Sequence, residues 1–201
     1  MIKAILGHIS FNTTLLFDLD NTVHEPLLEL GSDQWFEYMI NLAVNNIDDK
    51  EQAVTLAVAV YYSIQDIVKA RAIEQTTVNI IKALQDIGVP IIAITARGKA
   101  LQSSATRQLK DNEIDFSRNA PKGIENMDFC LESGESKSGN PYYQDGIIYC
   151  SGNNKGKCLS AFLGETNTKI NHVVMADDKE KHLNSVKEAV EASGARFTGI
   201  L

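Results

Sequence analysis

Phe17-Asp18-Leu19-Asp20-Asn21-Thr22 sets two carboxylates two residues apart, just beyond a short apolar and β-branched run over residues 13–17. Such a run reads as a buried strand of a parallel sheet, and where it stops the turning chain lets both carboxylates face one cleft. Three further polar points follow the same plan. Thr95 ends the run Ile91-Ile92-Ala93-Ile94, Asp177 and Asp178 end His172-Val173-Val174-Met175-Ala176, and Asn154-Lys155-Gly156-Lys157 leads into a short helix. Phosphoryl transfer needs a nucleophile in line with the leaving oxygen, a proton donor for that oxygen, and positive charge against three equatorial oxygens. Carboxylates, a hydroxyl, a lysine and a divalent cation supply that set. Each point alone has an ordinary structural explanation as a strand-end turn, a helix cap or a solvated lysine. Their succession along one chain carries the argument.

The elements that must position these residues can be traced by period. Between 33 and about 46, Trp35, Tyr38, Met39, Leu42 and Ala43 recur at helical spacing behind a Ser32/Asp33 cap. A second apolar stretch over 53–67 is helical, whereas 67–73 alternates in a way that suits a strand as well. Thr76 or Thr77 caps a helix through Ile80, Ile81 and Leu84 that closes at Gly88. Residues 128–131 and 146–150 read as strands flanking an exposed loop over 133–140, rich in Gly, Ser, Lys and Asn. Helices over 156–163 and 179–192, with strands over 172–176 and 196–201, complete the chain. Strands alternating with helices predict an α/β fold: a Rossmann-like, three-layer, doubly wound parallel sheet whose ligands lie outside the carboxyl ends of the strands. Asp18, Asp20, Thr95, Asp177 and Asp178 all fall at that rim.

The charge balance, 19 basic against 26 acidic residues with no basic cluster, predicts no nucleic-acid partner. No apolar run approaches the roughly 20 residues of a membrane span, so no membrane partner is expected either. Three cysteines, Cys130, Cys150 and Cys158, lack Cys-x-x-Cys spacing and suit a reducing cytoplasm. Asn12-Thr13-Thr14 matches a glycosylation pattern that is frequent by chance, and an exported mature form stays open. The four histidines, His8, His24, His172 and His182, have no metal-ligand spacing, and His24 is the one close behind the first carboxylate pair. A calcium-loop reading of 18–29 fails at Val23, where glycine is required.

Taken together, the four points resemble the motifs of the haloacid dehalogenase-like superfamily, phosphatase type, from about Thr13 to the end. Gly31-Ser32-Asp33-Gln34-Trp35 further resembles a little-characterised bacterial branch of it. The resemblance implies that Asp18 becomes an aspartyl-phosphate, and that Asp20 protonates the leaving group and then activates water. It implies that Thr95 hydrogen-bonds the phosphoryl oxygens. The motif lysine falls on Lys155 or Lys157, with Lys155 favoured because it precedes glycine. Mg²⁺ is the implied cofactor, held by Asp18, the Asp20 carbonyl and Asp177 with Asp178 beside it, and Asn21, Ala96 and Arg97 lie where substrate would pass. One departure stands out: an acidic or amide residue usual about four positions after the acidic pair is replaced by His182, with Asn184 as an alternative.

The resemblance also implies one domain, with its core at about 13–26, 74–107 and 152–201. A small helical cap is expected at about 27–73 and a second, strand-containing insert at about 108–151. Caps exclude water and select substrates, which brings Trp35, Tyr38, Tyr142 and Tyr143 into consideration, although packing on the helix face is the commoner fate of Trp35 and Tyr38. The expected activity is Mg²⁺-dependent hydrolysis of a small phosphorylated metabolite. A phosphomutase, or a non-catalytic binding protein on the same scaffold, is the alternative. A receiver-like signalling module would place its acidic pair first and its lysine last, the reverse of the order here.

Overall fold

A computed structural model of the chain describes residues 7, 9–10, 12–121, 123–131 and 139–201. Residues 133–138 of the expected loop, residues 1–6 and His8 lie outside them. In chain order the elements are β1 (Thr13–Phe17), β2 (His24–Pro26), α1 (Asp33–Asn46), α2 (Lys50–Gln65), β3 (Ala70–Ala72), α3 (Gln75–Asp86) and β4 (Ile91–Thr95). There follow α4 (Gln102–Asp111), β5 (Met127–Asp128), β6 (Tyr142–Gln144), β7 (Ile147–Tyr149), α5 (Lys155–Thr166), β8 (His172–Ala176), α6 (Glu180–Ala192) and β9 (Arg196–Ile200).

Seven strands form one sheet in the order β5-β6-β7-β4-β1-β8-β9, with β1 inside it between parallel β4 and β8. The inner strands β1, β4, β7 and β8 are largely apolar and buried because both of their faces are covered. Leu15, Phe17, Ile91 and Ala93 pack against Val78, Ile81 and Leu84 of α3 and Ala105 and Leu109 of α4. Leu16, Ile92, Val173 and Met175 pack on the other face against Leu159 and Phe162 of α5 and Val186 and Val190 of α6. This is the three-layer, doubly wound α/β arrangement. No helix among the described residues is long and apolar enough to cross a membrane.

The stretch over 108–151 extends the main sheet: β7 runs parallel to β4, and β6 and β5 continue antiparallel to the edge. Asp145 and Gly146 turn β6 into β7, both with positive φ (49° and 83°), as a two-residue mirror-image turn requires. A Cβ at Gly146 would lie 2.4 Å from the Phe116 carbonyl oxygen, so only glycine fits. Tyr142 and Tyr143 are thereby buried in the two cores.

Over 27–73, α1 and α2 form a helix pair. The Ser32 hydroxyl caps α1 by accepting from the Trp35 amide (3.1 Å), and Asp49 caps α2 by accepting from the Glu51 and Gln52 amides. Within the ambiguous stretch 67–73, residues 70–72 form a strand: β3 pairs antiparallel with β2, aligning His24 with Ala72, and the Ala72 amide donates to Asn112 Oδ1 (2.6 Å). Helix α3 starts earlier than either threonine cap would place it. Its N-cap is Glu74, without a side-chain cap bond, and Thr77 is instead fully buried in the first turn. Helix α4 carries too weak an apolar period to be read from the sequence, because half of its buried face is polar: Ser104 and Gln108 beside Ala105 and Leu109.

Candidate active site

Asp18 follows β1 directly, its amide donating to the Ala176 carbonyl of β8 (3.0 Å). Lys155, first residue of α5, brings its Nζ to 2.6 Å from Asp18 Oδ1 and 2.7 Å from Asp177 Oδ2, with all three side chains buried. Lys157 is exposed on the same helix, so of the two lysines Lys155 is the one at the rim. Its placement depends on Gly156, where a Cβ would lie 2.0 Å from the Ser185 carbonyl oxygen, so that α5 rests directly on the backbone of α6. Asp177 Oδ1 accepts from the Lys179 amide (2.9 Å) and lies 3.1 Å from His182 Nδ1. The Thr22 hydroxyl accepts from the Asp178 amide (3.1 Å), tying the loop after β1 to the loop after β8.

Burial pushes the Asp18 carboxyl up to about 7, with Lys155 opposing and the Asp177 charge adding. For Lys155, burial works against the charged form, but Asp18 and Asp177 outweigh it and its pKa rises. Burial also acts to raise Asp177, and here the His182 hydrogen bond and the Lys155 charge prevail and hold it low. One ammonium therefore faces two carboxylates, and the cluster lacks a positive charge. Asp18, Asp177 and His182 each offer a ligand atom within 4.8 Å of one another, and hard carboxylate oxygens suit Mg²⁺, so this donor set fits a divalent cation. Asp178 is not in that group. It is exposed, its carboxyl is raised chiefly by partial desolvation and bonds to the Asn21 side chain, and Asn184 is exposed as well.

Asp20 is engaged differently. Arg97 grips it with two hydrogen bonds, and the same guanidinium donates from Nη1 to Gln108 Oε1 (2.8 Å) and from Nη2 to Gln65 Oε1 (3.4 Å). Burial alone would raise the Asp20 carboxyl, but the Arg97 charge outweighs it and holds it well below the usual carboxylate range. His24 is fully buried with its Nε2 3.5 Å from Asp20 Oδ1, and neither ring nitrogen has a hydrogen-bond partner among the described residues. Burial lowers its pKa. Asn21, with φ of 59°, closes this turn by donating its amide to the His24 carbonyl (2.9 Å). Thr95, fully buried at the end of β4, accepts the Arg97 amide on its hydroxyl (3.2 Å).

A cavity of about 410 Å³ opens over this cluster, touching Asp18, Asp20, Ala96, Arg97, Lys179 and His182. Trp35, Tyr38, Tyr142 and Tyr143 do not line it: Tyr38 is 62% exposed to solvent on the outer side of α1, and the other tyrosines are core. The aromatic residues that do line it are Phe36, Tyr61 and Tyr62. Phe36 and Ile40 stand four apart on the stripe of α1 next to the one the sequence reading chose, a period-3.6 signal that was present but shared between two faces. Gln65 and Gln108, which brace Arg97, carry no local signal.

The mostly parallel central sheet with helices on both faces is the fold seen in haloacid dehalogenase-like hydrolases. The chain belongs to the family described as protein of unknown function DUF2608, whose pattern matches residues 1–201. No curated protein matches the sequence. Among solved structures it is similar to a haloacid dehalogenase-like hydrolase from Streptococcus pneumoniae, at 15% identity over 94% of this chain and 84% of that one, with a TM-score of 0.52. It is also similar to the N-terminal part of a Bacteroides fragilis protein containing a phosphatase domain (15% identity, 98% of this chain, 38% of that chain, TM-score 0.46). A third likeness is to a class C acid phosphatase from Bacillus anthracis (15% identity, 98% and 73%, TM-score 0.42).

Proposed function

We propose that the chain is a Mg²⁺-dependent phosphomonoester hydrolase in which Asp18 is the nucleophile. The observation that supports this most is Lys155 seated between Asp18 and Asp177 at 2.6 and 2.7 Å, which gathers three distant motifs into one charged cluster at the rim of the sheet. A carboxylate oxygen of Asp18 attacks phosphorus, the bond from phosphorus to the ester oxygen breaks, and the electron pair leaves with that oxygen. Asp20, once protonated, hands its proton to the departing alcohol. It then takes a proton from the water that cleaves the aspartyl-phosphate, so the enzyme returns to its starting state with one alcohol and one phosphate released.

Lys155 offsets charge on Asp18 and on the incoming phosphoryl group, and the hydroxyl of Thr95, at the end of the adjacent strand, is assigned to meet phosphoryl oxygens. Asp18, Asp177 and the Asp20 carbonyl would hold the cation, with His182 steadying Asp177. When bound, it supplies charge compensation for the phosphoryl oxygens. Asn21, Ala96 and Arg97 border the approach to that point.

Purified protein is expected to release inorganic phosphate from a small aryl phosphate with Mg²⁺ and to stop on chelation. Asp18→Asn is expected to lower turnover at least about 10³-fold with the fold intact by circular dichroism. Wild-type turnover in that variant would overturn the mechanism.

A further inference from the structure

The cavity has two unlike halves. Asp18, Asp20 and Arg97 stand at the core end, whereas the wall built by the helix pair is mostly apolar, with Asp33 and Glu37 as its charged residues. That wall is built from Phe36 and Ile40 of α1 and Val58, Tyr61 and Tyr62 of α2, with Leu101 facing them from the core. The Phe36 and Tyr61 rings pack with centroids 4.4 Å apart, and Tyr61 and Tyr62 follow at 6.4 Å, so the aromatic surface is continuous and mutually braced. The Tyr62 hydroxyl reaches down to the loop after β4, ending 3.5 Å from where a Cβ of Gly98 would be.

The charged residues that α1 and α2 add to the cavity are Asp33, which is ion-paired to Lys179, and Glu37. Among the described residues no cation projects from this wall, and the cations that line the cavity elsewhere, Lys179 and Arg97, are already ion-paired to Asp33 and Asp20, so a second phosphate or a carboxylate on the substrate would be poorly matched. Sugar hydroxyls would fare little better against aliphatic and aromatic carbon, since desolvating them without partners is costly. The Tyr61 hydroxyl is the polar group that stands out. It feels the charges of Asp20 and Arg97, and burial raises its pKa so that it stays a donor. A cavity of about 410 Å³ has room for a phosphoryl group with one or two fused rings, at the small end of usual ligand sites.

We propose that the site takes phosphomonoesters whose alcohol part carries a planar, chiefly apolar ring, seated against Phe36, Tyr61 and Tyr62, with the Tyr61 hydroxyl donating to an oxygen at the phosphoryl end of the substrate. This rests on the phosphatase reading and narrows it to a substrate class. The chemistry is unchanged: the same ester bond breaks and the ring departs on its alcohol.

The test compares benzyl phosphate with glycerol phosphate and glucose 6-phosphate, all esters of unactivated alcohols, so that reactivity of the leaving group does not masquerade as recognition. The holoprotein is expected to favour benzyl phosphate by about 30-fold or more in kcat/KM. In Phe36→Ala that ratio is expected to fall about tenfold through KM. Tyr61→Phe, which keeps the ring, is expected to keep the ratio while kcat falls for all three. Binding to the wild-type protein is read separately by thermal shift with Mg²⁺, where benzylphosphonate is expected to stabilise at a lower concentration than methylphosphonate. A ratio near one, or a preference for the sugar phosphate, overturns the substrate class and leaves the phosphatase intact. Phosphate release from none of the esters, with no shift from either phosphonate, overturns both.

Discussion

Arg97 holds both carboxylate oxygens of Asp20, its Nε 2.8 Å from Oδ2 and its Nη2 2.6 Å from Oδ1, across 77 residues of sequence. A guanidinium matches a carboxylate in this forked way as no other side chain does, and it stays charged at every working pH. The pair stabilises ionised Asp20 in the resting site, while the proposed role of Asp20 in the first step requires a proton on it. Gln65 and Gln108 keep the fork aimed, and Gln65 also donates to the Gly31 carbonyl (2.7 Å) at the entrance to α1.

Because Asp20 acts in its protonated form, kcat falls as pH rises through its pKa, and Arg97 keeps that limb at low pH. Arg97→Gln removes the charge, so the carboxyl returns toward its ordinary value and the falling limb moves alkaline, by about one unit or more. A pH profile of kcat on benzyl phosphate measures this. A limb that stays in place would show that Arg97 does not govern Asp20.

Asp18 is raised to about 7 in the folded protein from an ordinary 3.8, chiefly by burial. The folded state thus keeps a proton that the unfolded chain releases, and the stability this contributes is complete below about pH 4 and is lost as pH rises to about 7. In chelator, the wild type is expected to lose thermal stability over that interval relative to Asp18→Asn, which has no such proton. A divalent cation needs Asp18 ionised, so the gain in Tm from added Mg²⁺ is expected to be larger at pH 8 than at pH 5. Scanning fluorimetry over pH 4–8 with and without Mg²⁺ reads both effects.

At Gly156 a methyl group has no room, with the Ser185 carbonyl 2.0 Å from the Cβ position. Gly156→Ala must push α5 away from α6 and is expected to cost about 1–3 kcal/mol. Lys155 moves with the helix, so kcat is expected to fall at least about tenfold even in molecules that remain folded. Urea unfolding and turnover on the same preparation test the two parts. Wild-type stability in this variant would contradict the packing.

Gln65→Leu keeps roughly the same volume but strands the Gly31 carbonyl and loosens Arg97. A buried acceptor left unsatisfied costs about 1–3 kcal/mol, and that loss is expected in chemical denaturation. Gln65→Glu is expected to draw the guanidinium away from Asp20 and lower kcat while leaving the helix pair in place.

The strands that end at the site were legible because their signal is local. Residues 15–17, 91–94 and 173–176 are unbroken apolar runs that stop at Asp18, Thr95 and Asp177, as a run buried on both faces of a sheet does. Helix α4 was not legible, since three of the four residues it buries are Ser104, Ala105 and Gln108, which a hydrophobic period does not register. The turn at Asp145-Gly146 did carry a recognisable pair of residues, yet whether its strands stood apart or joined the sheet depended on β7 finding β4.

What the linear chain settled by itself was the order of the four chemical points and the α/β alternation that sends them to one rim, because both follow from residue type and short-range period. What only the folded chain decided was which side chains meet there: Arg97 with Asp20, His182 with Asp177, and the Phe36–Tyr61–Tyr62 wall above them. Such contacts join residues far apart in sequence and depend on how one helix pair settles on the sheet. Packing of that kind is a property of the whole buried surface, and no window of neighbouring residues encodes it.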